Sequence, residues 1–258
     1  MLQNLLLRLR QKKMPNNIQV VKEKYRIAGI NTGIISRRDW IIERQARPYI
    51  AEFEGVPDIL CGINDKLLYE NSIKFSALTV QDCEYMFTGE QFCRQLLDFD
   101  GFMLHSSAVV YQNRAYLFSA PSGTGKSTHT GIWRRVFGKE NTYILNDDKP
   151  VIRMIDGQVY VFGTPWSGKT DQNKNAGVLL QGICFINRAE ENQINKIDTK
   201  TAIYKILNQT IRPDGADKMT QLLDVLDRVL QKIAVYEMGC NMTDDAAITA
   251  FKGMNGIL

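Results

Sequence analysis

Long apolar runs are absent from this sequence of 258 residues. No stretch of about 18 uncharged apolar residues occurs, so no transmembrane segment is expected. The opening residues Met1–Arg10 are apolar and then basic, the reverse of the order in a signal peptide, and read first as a terminal helix packed on the domain or frayed, with a short amphipathic helix lying on a membrane as the alternative. Cysteine is sparse, with five residues at 61, 83, 93, 184 and 240 and no Cys-x-x-Cys pair. An odd number at such spacings argues against a disulfide framework or a zinc site, and reduced thiols in a cytoplasmic protein are expected. An excess of one charge is also missing. The 32 Lys and Arg residues against 28 Asp and Glu give a net charge of +4. No dense basic stripe results, so no nucleic-acid partner is expected, whereas an anionic small ligand suits the balance. No internal repeat or low-complexity stretch is found. With 44% hydrophobic and 23% charged residues, the composition is that of a folded globular protein.

What is present divides near residue 100. Residues 1–100 read as an N-terminal α+β subdomain, a candidate for substrate recognition. Short strands are expected at Tyr25–Ile30, Ile59–Ile63 and Ser72–Val80, and a helix at Gly89–Leu97. Residues 101–258 read as a nucleotide-binding core. Met103–Tyr111 is apolar and β-rich, and Gln112-Asn113-Arg114 makes a turn. Ala115–Ser119 is a buried strand, Thr128–Phe137 a helix, and Tyr143–Leu145 a strand ending at Asn146-Asp147-Asp148. Asp156-Gly157 between Val151–Ile155 and Val159–Phe162 is a hairpin signal. Ile183–Ile186 is another core strand. Helices are expected at about 200–209, 217–232 and 243–252, the last with Thr243 as N-cap. The fold class is a mixed α/β core with a smaller N-terminal subdomain.

The segment Ala120-Pro121-Ser122-Gly123-Thr124-Gly125-Lys126-Ser127 fits the phosphate-binding pattern G-x-x-x-x-G-K-[ST], with Ala120 in place of the first glycine. The chemistry explains the residue types. Gly123 and Gly125 let the backbone turn its N–H groups toward phosphate oxygens. A following helix, opening with Thr128, adds the positive end of its dipole. Lys126 supplies a point charge for the outer phosphates, and Ser127 a hydroxyl for magnesium.

Asp147 and Asp148 end the next apolar strand, where ligands bind in α/β sheets. One carboxylate can hold magnesium and the other can accept a proton from an attacking hydroxyl; the sequence leaves the division open. His105 and His129 are the chain's two histidines. His105 reads either as a group touching the transferred phosphate or a second metal, or as a structural residue, and His129 as a residue of the helix surface. Arg134 and Arg135 read as phosphate clamps or as solvated helix charges. Gly163–Thr170 imitates a second phosphate loop but lacks a clean helix after it. Its Trp166 and Lys169 either face the site or are a packed ring and a solvated amine. Asn195-Lys196-Ile197-Asp198 matches a guanine-reading pattern; without a D-x-x-G before it, the match reads as coincidence.

Taken together, Leu104-His105-Ser106-Ser107-Ala108, Ser122–Ser127 and Asn146-Asp147-Asp148 resemble the HPr kinase/phosphorylase and ATP-dependent phosphoenolpyruvate carboxykinase superfamily. The resemblance covers 101–170 well and the rest loosely. It implies a mixed α/β nucleotide core, ATP and Mg2+, Lys126 on the outer phosphates, Ser127 on the metal, Asp147 and Asp148 as metal ligand and base, and His105 near the transferred group. No Arg-Gly pair follows the acidic strand, which sets the chain apart from the bifunctional HPr enzymes. Phe87-Thr88-Gly89-Glu90 lacks the arginine of a carboxykinase. What remains resembles the smaller HPr kinase-related proteins. The expected function is ATP-dependent phosphoryl transfer to a hydroxyl, with serine of a peptide or protein first. A small-molecule acceptor and a non-catalytic nucleotide-binding regulator are the alternatives, and homo-oligomerisation is left open.

Overall fold

A computed structural model describes residues 19–257; the terminal helix expected at Met1–Arg10 lies outside them. The described chain forms two compact units, divided between Gln95 and Leu96. Among the described residues no helix is long and apolar enough to cross a membrane.

The first unit carries a three-stranded sheet of order β1-β2-β3, with β1 at Val20–Ile27, β2 at Ile30–Arg37 and β3 at Ile59–Gly62. The expected strand Tyr25–Ile30 is in fact a hairpin. Ala28 and Gly29 both take positive φ, the backbone of a tight two-residue turn between antiparallel strands. Helices α1 (Ile41–Ala46), α2 (Asp65–Lys74) and α3 (Val80–Leu96) complete the unit. The expected strand Ser72–Val80 is therefore wrong: Ser72 to Lys74 end α2 and Val80 begins α3. Asn64 caps α2, accepting from the Leu67 amide, and the Thr79 hydroxyl and amide meet Asp82 at the start of α3. The outer edge of β3 is closed by side chains. The amides of Gln91 and Gln95 bond the N–H and C=O groups of Gly62 and Leu60.

The second unit is a curled nine-stranded sheet with helices on both faces, a mixed α/β fold. Its strands are β4 (Gly101–Met103), β5 (Ser106–Tyr111), β6 (Arg114–Ser119), β7 (Thr142–Asn146), β8 (Val151–Ile155), β9 (Gln158–Phe162), β10 (Gly177–Arg188), β11 (Gln193–Lys196) and β12 (Val235–Cys240). The path runs β4-β8-β9-β10-β6-β5-β7, with β12 on β10 and β11 on β12. The long strand β10 joins two halves. Gly177–Leu179 pair antiparallel with β9; from Leu180 the strand shifts register and runs parallel to β6 and then β12. The Asp156-Gly157 hairpin forms as its sequence predicts, both residues having positive φ.

Period-two alternation sorts the apolar strands between two layers. From β6, Ala115 and Leu117 join one core, and Tyr116 and Phe118 the other. From β10, Ile183 and Phe185 go to the first, Cys184 and Ile186 to the second. The first layer is covered by α5 (Thr199–Leu207) and α6 (Ala216–Leu230), through Ala202, Ile206, Leu222 and Val229. The second is covered by α4 (Lys126–Val136) and α7 (Asp244–Met254), through Ile132, Trp133, Ala247 and Ala250. Thr243 stands at the N-cap of α7 but makes no capping bond; its hydroxyl pairs with Asn241. Asp198 caps α5 through the Thr201 amide, which accounts for the carboxylate of the guanine-like pattern.

Candidate active site

Strand β6 runs straight into the glycine-rich loop, and α4 leaves it. Gly123 has φ +79° and Gly125 φ +124°, and a Cβ at either would meet open space. The requirement for glycine is thus one of backbone conformation, not of room. Ala120 is buried and has no positive φ, so nothing there requires the glycine of the general pattern. Gly125 is the N-cap of α4, and no side chain caps the first amides of that helix. Pro121, Ser122, Ser127 and Thr128 are exposed, and Thr124 and Gly125 partly so.

Lys126 is folded back under its own loop. Its Nζ donates to the carbonyls of Ala120 at 2.9 Å and Pro121 at 3.5 Å, and it has no carboxylate partner within ion-pair distance among the described residues. Burial lowers its ammonium below the ordinary lysine value, while the charges of Asp148 and Asp147 pull it up again. The lysine therefore lies in the field of both aspartates.

The two aspartates are held differently. Asp147 is buried; its Oδ1 accepts from Ser107 Oγ at 2.6 Å, and its Oδ2 has no partner. Ser107 Oγ also meets Thr130 Oγ1 at 2.9 Å, so one hydroxyl joins β5, the acidic turn and the first turns of α4. Asp148 is partly exposed. Its Oδ1 lies 3.4 Å from His105 Nε2, and its Oδ2 pairs with Lys149. Asn146 shapes this turn, its Oδ1 accepting the amides of Asp148 and Lys149 and its Nδ2 donating to the Thr164 carbonyl.

His105 is half-buried in the gap between β4 and β5. Its Nδ1 meets Gln209 Oε1 at 3.0 Å, and Gln209 can serve either tautomer by turning its amide. Burial first, and then the Lys126 charge, push this imidazole below its ordinary value; Asp148 and Gln209 act the other way. The ring is the neutral partner of a carboxylate, suited to hold or pass a proton.

The structure thus brings Lys126, Asp147, Asp148 and His105 into one neighbourhood. It does not bring His129 to the helix surface. That histidine is 2% exposed, packed against Phe118 at 4.3 Å, with Nε2 accepting from Trp133 Nε1 at 3.2 Å. It faces the sheet because α4 lies flat on β6, putting positions 129, 132 and 133 on the inner stripe. Arg135 pairs with Asp244, away from the acidic turn, whereas Arg134 reaches the side chain of Gln172, whose carbonyl accepts the Asp147 amide at 3.1 Å. Trp166 is fully buried, its carbonyl accepting the Lys149 amide, and Lys169 is exposed. Gly168 presses against Asp148, where a Cβ would come within 3.0 Å of the aspartate's own Cβ.

Four contributors were not singled out from sequence. Ser107 stands two residues after His105 on the same face of the chain, and Thr130 one helical turn after Lys126; period 2 and period 3.6 would have pointed to them. Gln209 and Arg188 carry no local signal. Arg188, at the end of β10, donates to the loop carbonyls of Gly123 at 2.8 Å and Thr124 at 3.3 Å.

No family model matches the chain, and no curated protein matches it. Among solved structures it is similar to the Hpr(Ser) kinase/phosphatase from Coxiella burnetii, at 9% identity over 60% of this chain and 95% of that chain, with a TM-score of 0.35. A likeness that distant carries no argument about activity, and the side chains must supply it.

Proposed function

We propose that this chain is an ATP- and Mg2+-dependent kinase that transfers the γ-phosphoryl group to a hydroxyl, with serine of a peptide or protein the first candidate. The observation that carries the reading is the meeting of a lysine and two aspartates at a glycine-rich loop: Lys126 sits in the field of Asp147 and Asp148, and Asp147 is tied through Ser107 to the helix that the loop opens. The amides from Ser122 to Thr128 cradle the phosphates, and Lys126 exchanges its loop carbonyls for the outer phosphate oxygens.

A metal fits the donor set. Asp147 Oδ2 is a buried carboxylate oxygen without a partner, and Ser127 offers a solvent-facing hydroxyl. Among the described residues no cluster of three or more His, Cys, Asp or Glu side chains forms a ready-made cage. Magnesium held by one or two carboxylates and the substrate's phosphates needs none. When bound, the ion neutralises charge on the phosphates. Asp148, the more open carboxylate, and its partner His105 are placed to accept the proton of the acceptor hydroxyl as its oxygen bonds to the γ-phosphorus. The bond from that phosphorus to the β–γ bridging oxygen breaks, and ADP leaves.

The test is transfer from γ-labelled ATP to serine peptides and to a cell lysate, with the native chain, Lys126→Ala and Asp148→Asn. Loss of label transfer in both variants, with circular dichroism unchanged, supports the reading. Native-level transfer by Lys126→Ala refutes it.

A further inference from the structure

A cleft of about 610 Å³ opens beside the loop, on the side away from the acidic turn. That size is within the roughly 300–1,000 Å³ of small-molecule sites. Its floor is apolar, made by the buried side chains of Ile132 on α4 and Ile186 on β10. Gly123 and Gly125 form one rim, and Cys240 and Met242, at and after the end of β12, form the other. Met242 is exposed and unbranched, a side chain able to settle on a flat ring.

Three polar side chains line this space or its rim, and two of them, Asn187 and Arg188, are exposed. The first is His129, which lines the cleft. The Trp133 indole N–H can only donate, so His129 Nε2 must accept and the neutral ring carries its proton on Nδ1. That Nδ1–H is buried and has no partner. A buried donor left unmade is costly, and the enclosure of this ring leaves Asn187 and Arg188 as the polar groups a ligand can reach. The second is the side-chain amide of Asn187, exposed at the end of β10, with donors and an acceptor to offer. The third is Arg188, whose guanidinium bonds neutral loop carbonyls and has no carboxylate partner among the described residues. It stands where the phosphate loop meets the cleft.

We infer that this cleft takes the base and ribose of the nucleotide, with the ring lying over Ile132 and Ile186 and Arg188 at the junction of nucleoside and phosphates. The inference rests on the phosphate-site reading above and adds what that reading lacks, a reason for the site to prefer a nucleoside triphosphate over a bare polyphosphate.

The experiment uses the full chain and the accessibility of its thiols. Cys61, Cys83, Cys93 and Cys184 are buried, and Cys240 is the partly exposed one. A maleimide dye therefore reports on the cleft. Labelling is timed with Mg·ATP or Mg·tripolyphosphate at saturation, and the affinity of each is measured by calorimetry. Mg·ATP is expected to slow Cys240 labelling about tenfold, and tripolyphosphate to bind without slowing it. In Cys240→Trp, which fills the cleft, ATP affinity falls about tenfold while tripolyphosphate affinity holds. Met242→Ala, at an exposed position, is expected to weaken ATP alone by a smaller factor. Tripolyphosphate protecting Cys240 as well as ATP does, or ATP binding without protection, overturns the base pocket while leaving the phosphate site standing. Failure of both ligands to bind overturns the phosphate site and the base pocket together.

Discussion

Ser107 donates to Asp147 Oδ1 at 2.6 Å and leaves the other oxygen of that buried carboxylate without a partner. A buried charge with a free lone pair is expensive unless something binds it. We propose Ser107 as a positioning residue: it holds the carboxylate by one oxygen and leaves the second unpartnered. Outer-shell partners of this kind typically change metal affinity by about 10–100-fold. Ser107→Ala should therefore raise the magnesium concentration needed for half-maximal ATP binding and transfer by about tenfold, and Ser107→Thr, which keeps the hydroxyl, should restore it. A magnesium titration of both variants decides this. A loss of stability without a change in the magnesium requirement would assign Ser107 a packing role instead.

Lys126 makes a sharper case, because its ammonium bonds only carbonyls of its own loop. Its side chain is buried, but removing it also relieves the desolvation cost of the ammonium. Lys126→Ala should keep the native unfolding midpoint and lose on the order of 100-fold or more in transfer, the scale of losing one preorganised charge on a transition state. Comparing urea midpoints with rates of label transfer checks both halves.

The legible part of this protein lies where chemistry is local. The loop at 120–127 and the acidic turn at 146–148 are contiguous, and the strand before each is a plain apolar run. The Asp156-Gly157 hairpin was readable for the same reason. The misreadings come from pairing and packing. Ser72–Val80 looked like a strand because the signals that make its ends helical are side-chain caps, Asn64 before α2 and Thr79 before α3. His129 looked like a surface residue because a polar ring is expected outside; its partner Trp133 lies one turn along the same helix, but that Phe118 of β6 covers this stripe shows only once α4 is laid on the sheet. Arg188 and Gln209 reach the site from elements 65 and 104 residues away in the chain, distances at which no spacing rule operates.

Glu84, fully buried in the first unit and bonded through Oε1 to Arg37 at 2.7 Å, gives a test of that unit. Burial drives its carboxyl up to about 7, against the opposing pull of Arg37. A carboxyl raised on folding contributes stability that is full below its unfolded value and is lost as pH rises through the folded one. The window is therefore roughly pH 4.5 to 7, and the loss is on the order of 2–3 kcal/mol. Glu84→Gln removes the titration while keeping the shape. Measured against the native chain by urea unfolding at pH 5 and pH 8, the variant should gain relative stability at the higher pH. An equal difference at both values would show that Glu84 stays ionised throughout.

His129 should give the opposite slope in the second unit. Burial alone lowers its imidazole to about 4; no neighbouring charge contributes. The unfolded chain takes up a proton near 6.5, and the folded one only near 4, so acidification through that window favours unfolding. Stability present above about pH 6.5 is lost toward pH 4, by on the order of 3 kcal/mol. Proton NMR of the two histidines reads the titration directly: the His129 ring signal should stay unshifted to below pH 5, while the half-buried His105 moves earlier. Protonating His129 also puts a proton on Nε2, which then can no longer accept from the Trp133 indole, so loss of that bond should appear as a shift of the indole N–H signal at the same pH. An indole signal that moves with a midpoint near 6.5 would mean that water reaches the ring and that α4 does not seal this part of the core.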